Sequence, residues 1–168
     1  SFAVMPFKYE KERIFNSGVA LKRVRENSQC TIVLDNDSLL ESNPDLTAKD
    51  CYSIANSAIS HIVKSLETTE ISSETNILTT SKDGQSMEES LRDSLKMLYQ
   101  NATPNTVKSS MVYIAGGENI PVGVINSIKN LSNGITNESN SQINMSSSDE
   151  SKVVMLSSVQ GMTKFDNY

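Results

Sequence analysis

Three short stretches of the sequence hold residues whose types and spacing suit ligand chemistry. Glu10 and Arg13 follow an apolar run that ends at Pro6-Phe7, and Asn36 and Asp37 follow a second run, Cys30–Leu34. Tyr52 and Asn56 stand four apart on a helical pattern, which puts them on one face. An acid and a guanidinium suit a sugar and a phosphate, an aromatic ring stacks on a flat base, and amides read a base edge. In an open parallel α/β sheet, ligands lie beyond the carboxyl ends of the strands, where loops enter helices. Placed there together, these residues would suit a nucleotide. The alternative reading is N-caps and turn residues, with Tyr52 as ordinary packing. A further stretch, YIAGGENIPVG at Tyr113–Gly123, has the outline of a phosphate-binding turn: an apolar run, paired glycines, then Pro121 where a helix can begin.

Composition narrows the classes. The 168 residues have room for one ordinary domain or two small lobes. A formal net charge of -5 argues against a nucleic-acid partner, and the local cluster Lys22, Arg23, Arg25 reads as a solvated helix face. His61 is the single histidine. Without clustered acids or thiols it makes no zinc site, and the Ser-His and Cys-His nucleophile arrangements have little to build on. Cys30 and Cys51 lie inside apolar patterns and read as reduced core residues of a cytoplasmic protein rather than as a disulfide or a metal pair. No run approaches the ~20 apolar residues of a membrane span. A start at Ser rather than Met reads as a chain whose natural beginning lies elsewhere. Glycosylation triplets at Asn101, Asn130, Asn137 and Asn144 are what chance gives in an Asn- and Ser-rich chain.

The elements that must position the candidate residues follow from hydrophobic patterning. Phe2–Phe7 is a strand stopped by Pro6. A helix follows over about Lys11–Glu26, with Ile14, Phe15, Gly18, Val19, Leu21 and Val24 near one side. Cys30–Leu34 has the continuous β-branched character of a strand covered on both faces, and Asp35-Asn36-Asp37 breaks it. Thr47 can cap the clearest helix, whose apolar stripe runs from Cys51 through Ile54, Ala55, Ala58, Ile59, Ile62 and Val63 to Leu66. After the polar break ETTEISSET come a strand at Asn76–Thr80 and a turn at Asp83-Gly84. Ser86 and Glu89 then have capping-box spacing, ahead of a helix that buries Met87, Leu91, Leu95 and Leu98. A strand SSMVYIA, a helix IPVGVINSIKNL, a loop with an edge strand in Ser132–Asn144 and a last strand at Lys152–Val159 complete the pattern. The predicted class is α/β, as two lobes joined by the long helix.

Longer stretches resemble a known family. VMPFKYEKERIFNSGVALKRVRENSQCTIVLDNDSLL is similar to the part of FtsZ and archaeal tubulin-like proteins where Pro-Phe, an acid, a basic helix and an apolar strand ending in Asn-Asp follow one another. AKDCYSIANSAISHIVKSL resembles their central helix. MVYIAGGENIPVGVINSIKNL resembles the Gly-Gly-Glu-Asn segment and helix of the C-terminal domain of FtsZ. The three cover nearly the whole chain, in the family's order. The resemblance begins midway through the family's GTPase domain. It implies a C-terminal part of a GTPase-like parallel α/β lobe at 1–46, the central helix at 47–67, and a C-terminal α+β domain with a mixed sheet of about four strands at 68–168. The family's glycine-rich phosphate loop has no counterpart here. Gly116-Gly117 matches a turn distant from the family's phosphate pocket, so its implied role is to reverse the chain.

By the same resemblance, Glu10 and Arg13 match the acid and arginine that contact sugar and phosphates, with a spacing one residue shorter than the family's. Asn36 matches an asparagine on guanine, Tyr52 the aromatic that stacks on the base, and Asn56 the amide or acid four residues on. The implied cofactor is GTP or GDP in the intact protein, with Mg accompanying the nucleotide and none expected on this chain alone. The implied partners are further copies of the protein, head to tail in a cytoplasmic filament of the cell-division type, with no nucleic acid and no membrane insertion. One departure is serious. The family's Asn-x-Asp-Phe-Ala-Asp-like loop after the central helix sends an acid into the next subunit's pocket to help water attack the terminal phosphate; here only Glu67, Glu70 and Glu74 stand near. The chain alone is expected to be inactive as a GTPase. Two other readings stay open: a non-hydrolysing paralogue acting as scaffold or regulator, and an unrelated α/β domain; two lobes joined by the long helix would support the family, and a single compact sheet would sink it.

Overall fold

The computed structural model describes residues 1–66, 75–82, 86–116, 122–123, 126, 130, 141–146 and 152–168. Six strands, β1 (Phe2–Met5), β2 (Thr31–Asp35), β3 (Thr75–Thr80), β4 (Val107–Ala115), β5 (Ser141–Ser146) and β6 (Lys152–Val159), form one sheet in the order β1-β2-β3-β6-β4-β5. The pairs β1–β2, β2–β3 and β4–β5 are parallel, and β6 runs antiparallel to both β3 and β4. The helices with described bounds are α1 (Lys11–Asn27), α2 (Asn36–Ser42), α3 (Ala48–Leu66) and α4 (Met87–Asn101); Val122, Gly123, Asn126 and Asn130 are also helical, and short 3-10 turns stand at Pro104–Thr106 and Lys164–Asn167.

The strands β3, β6, β4 and β5 make the mixed four-strand sheet expected of the second half, with β5 at its edge. The two halves do not carry separate sheets, however. Thr31–Val33 pairs in parallel with Thr75–Ile77, so one sheet runs through both. All five residues of β2 are buried. A buried strand edge without a partner would leave its N–H and C=O groups unsatisfied, and pairing with β3 satisfies them.

Alternation along the strands sends side chains to two cores. Val33, Ile77, Val112, Ile114, Val153 and Met155 face the layer that holds Leu21 of α1 and Leu91 and Leu98 of α4. Ile32, Leu34, Leu78, Tyr113, Val154 and Leu156 face Ile54, Ala58 and Ile62 of α3. The chain is therefore a three-layer α/β/α sandwich. The stripe on α3 is buried at Cys51, Ile54, Ala55, Ala58 and Ile62, while Val63 lies outside it at 46% exposed. On α1 only Leu21 is buried; Phe15 and Val19 stand exposed. The Asp35-Asn36-Asp37 break is in fact a helix start. Asp35 ends β2 and caps α2, its carboxylate accepting from Ser38 N at 3.2 Å. Thr47 caps α3 as expected, its hydroxyl accepting from Asp50 N at 3.1 Å. Ser86 does the same for α4 through Glu89 N at 3.3 Å. The turn at Asp83-Gly84, most of the helix expected after Pro121, and Glu67, Glu70 and Glu74 lie outside the described residues.

Candidate functional site

Because β1 and β2 are parallel neighbours, the loops leaving their carboxyl ends stand side by side. Pro6 stops β1, and Phe7, 0% exposed, anchors the turn that follows. Phe7 N donates to Glu10 Oε2 at 3.1 Å and Glu10 N donates back to the Phe7 carbonyl at 3.0 Å. This leaves Glu10 Oε1 to accept from Arg13 Nη1, one helical turn on, at 2.8 Å. That bond and the carboxylate charge raise the pKa of the Arg13 guanidinium. From the neighbouring strand, the cap at Asp35 makes Asn36 the first residue of α2. Asn36 is 1% exposed, and its Oδ1 has no hydrogen-bond partner among the described residues. Lys8 ties the two loops together: its N–H donates to Asp37 Oδ1 at 2.9 Å, and its ammonium pairs with Asp37 and Glu41 of α2.

Between these loops and α1 lies a cavity of about 560 Å³ bordered by Glu10, Arg13, Asn16, Ser17, Asn36 and Tyr52. The structure thus brings together four of the five residues that the resemblance matched to nucleotide contacts. The fifth, Asn56, is exposed and does not border it, being one turn farther along α3, about 6 Å. Sequence reasoning missed Asn16 and Ser17. They follow Arg13 at three and four residues on α1, so helical spacing alone would have found them. It also missed Tyr9, whose ring stacks on Phe7 at 5.3 Å while Tyr52 meets Phe7 edge-on at 5.8 Å. The rim therefore offers one aromatic ring, Tyr52, a buried amide acceptor with its hydrogen bond unmade, an acid and polar side chains. It offers little free positive charge, since Arg13 is already paired with Glu10. The chemistry fits a flat polar ring bearing hydroxylated groups better than it fits phosphates.

Other candidates fall away. Gly116 has φ of 79°, the left-handed region that favours glycine, which suits the turn after β4. That turn is three strands from β2, about 14 Å at ~4.8 Å per strand, so Gly116 takes no part in the cavity. A larger hollow of about 860 Å³ lies on the other side of α1, but Thr31 and Thr75 there mark the amino ends of β2 and β3. Its Arg25 is engaged by Asp166 at 3.1 Å. We favour the smaller cavity, which stands where parallel strands present ligands. Among the described residues no group of three or more His, Cys, Asp and Glu is placed to hold a metal, and no helix is long and apolar enough to cross a membrane. Cys51 is buried, Cys30 is half-buried, and both are free thiols. His61 packs against the Tyr113 ring at 5.6 Å.

The six-stranded sheet with helices on both faces is an FtsZ-like α/β fold, as comparison with solved structures shows. Its sequence is 24% identical over 162 residues to Cell division protein FtsZ 2 of Methanocaldococcus jannaschii, covering 83% of this chain and 42% of that protein. An FtsZ dimer of M. jannaschii superposes with a TM-score of 0.70 at 13% identity, over 94% of this chain and 53% of that one. CetZ from Methanosaeta thermophila gives 0.62 at 17% identity, over 96% and 52%. No protein-family profile matches. The chain spans about half the length of these relatives or less. The single sheet was expected to sink the resemblance and does not: the fold superposes over 94% of the chain, both halves included, so that criterion was wrong.

Proposed function

We propose that this chain is the base-and-sugar side of a guanine-nucleotide pocket, together with the central helix and the subunit-contact domain, of an FtsZ/tubulin-like cytoskeletal protein. The observation that carries this reading is the meeting of Glu10, Arg13, Asn36 and Tyr52 around one cavity beyond the carboxyl ends of β1 and β2. Tyr52 stacks on the base, Asn36 Oδ1 accepts from a base N–H, and Glu10 takes a ribose hydroxyl with Arg13 at the phosphate side. Asn56, which the resemblance also sets against the base, is exposed and does not border the cavity. GTP or GDP, with Mg on its phosphates, is the nucleotide of the intact cytoplasmic protein, and head-to-tail copies of that protein are its partners. These 168 residues bring no glycine-rich phosphate cradle, so they bind nucleotide slightly and hydrolyse none by themselves.

The test is titration of the chain with guanosine, GDP and GTP, followed by NMR. Guanosine should move the resonances of Glu10, Asn36 and Tyr52, and GTP should bind little better than guanosine. Tyr52→Ala should weaken guanosine by roughly 5- to 150-fold, the ~1–3 kcal/mol of a base–aromatic stack. Silence at all three residues up to the solubility limit would end the reading. A second reading, a scaffold that holds nucleotide without turnover, is favoured by ETTEISSET standing where the family carries its catalytic acid. Filaments of the whole protein that retain unhydrolysed GTP would distinguish it.

A further inference from the structure

The closing turn of the chain reaches back to the start of α2 through a buried polar network. Lys164 Nζ is ion-paired with the Asp35 carboxylate, which is wholly buried, and donates to Ser38 Oγ at 2.9 Å. Asn101 Nδ2, at the end of α4, donates to the same Ser38 Oγ at 3.3 Å and to the Met97 carbonyl at 2.7 Å. Ser38 Oγ donates in turn to Asp35 Oδ2. The hydroxyl's single proton and both its lone pairs are thereby used. The closing turn is itself firmly seated. Phe165 is buried, Thr163 and Asp166 form a reciprocal capping box, and Asp166 holds Arg25 of α1. Tyr168 lies so close to α1 that a methyl added at Gly18 would come within 2.7 Å of its Cβ.

Lys164 does not border the cavity, yet the two residues it holds, Asp35 and Ser38, stand one before and two after Asn36 in the chain. We infer that Lys164 is a positioning residue for the site: by pairing Asp35 and holding Ser38 from the closing turn, it fixes where the Asn36 amide stands against Tyr52 and Glu10. This rests on the reading of the cavity as a base-and-sugar site. Without Lys164, Asp35 would be a buried carboxylate whose remaining donors both belong to Ser38. A buried charge left short of donors is costly, and the first turn of α2 shifts to relieve it. Hydrogen bonds weaken steeply once their geometry leaves about 2.7–3.2 Å, so a shift of an ångström at Asn36 is enough to lose a base contact.

The experiment uses the whole 168-residue chain and two readouts. In the ligand-free protein, Lys164→Gln lowers the NMR order parameter of the Asn36 side-chain amide, and Lys164→Arg, which keeps the charge, restores it. With guanosine and adenosine as probes, Lys164→Gln reduces the preference for guanosine about two- to tenfold, the span of one ordinary hydrogen bond. A Lys164→Gln protein that is less stable but keeps Asn36 ordered and keeps the guanosine preference would overturn the inference, because a merely structural role predicts that result. If the unsubstituted chain shows no guanosine response, the nucleotide reading fails and the order parameter alone decides the positioning claim. If Lys164→Gln does not fold, the double variant Asp35→Asn/Lys164→Met removes both charges together. It too should loosen Asn36, since the link from the closing turn to Ser38 is gone, and an unchanged order parameter would sink the idea.

Discussion

Two adjacent residues on α3 give a sharp test of how that helix sits on the sheet. Ile62 is 0% exposed among the side chains beneath α3, and Val63, next in the chain, is 46% exposed. Ile62→Ala removes three carbons at about 0.8 kcal/mol each, about 2.4 kcal/mol of transfer energy. The cavity left behind brings the cost to about 3–4 kcal/mol, inside the usual 2–5 for such a change. Val63→Ala removes two carbons that are already half in water, about 0.8 kcal/mol. Replacing a β-branched residue by Ala in a helix returns about 0.5 kcal/mol, so the net effect is close to zero. The two variants should thus differ by about 3 kcal/mol. With an m-value of about 2 kcal/mol/M, their urea midpoints should lie about 1.5 M apart. Equal midpoints would mean that α3 is rotated from the orientation described, and the account of the core on that face would be wrong.

Further outcomes follow from single groups. Gly116→Ala places a Cβ at φ of 79° and should cost about 1–2 kcal/mol in urea unfolding while leaving guanosine binding untouched; a loss of binding would return that turn to the site. Burial, and then the charges of Asp35 and Asp37, push the Tyr168 phenol up to about 12 from its usual 10.0. The folded chain therefore holds that proton more tightly than the unfolded one. Its contribution is fully present below pH 10.0 and is lost as pH rises through about 12, so wild-type stability should fall across that window more steeply than that of Tyr168→Phe. Burial, and secondarily Asp50, raises the Cys51 thiol, which should react with a disulfide reagent only in denaturant; fast native labelling would contradict the seat of α3.

How much of this was legible beforehand depended on how local each cause is. β6 was read at its true bounds, Lys152–Val159, since a continuous apolar run between polar breaks is a strong local signal. The α3 stripe was legible for the same reason, with Val63 its one misplaced member. α2 was not legible, because Asp35-Asn36-Asp37 looks alike as a turn and as the cap and first residues of a seven-residue helix. The joining of the halves was not legible either: the β2–β3 pairing links residues 44 apart in sequence, and nothing in Thr31–Val33 names its partner. At the candidate site, Glu10, Arg13 and Asn36 follow the ends of adjacent strands, and Tyr52 reaches the same cavity from α3. Asn56 was drawn in by sharing a helix face with Tyr52, and that spacing says nothing of depth along the helix.

Among the described residues the joint between β2 and β3 is thin: three register pairs, against six between β3 and β6 and eight between β4 and β6. By backbone bonding alone the chain should come apart there in two steps. Its side chains dictate otherwise. One core joins Met5, Leu21 and Val33 to Ile77, Val112 and Val153, and the other joins Phe7, Ile32 and Leu34 to Ile62, Leu78 and Tyr113. Both faces of the sheet are riveted across the thin joint by packing, which has no direction and no register. The molecule should consequently melt in a single cooperative transition, and damage at β1 should be felt as far away as β4.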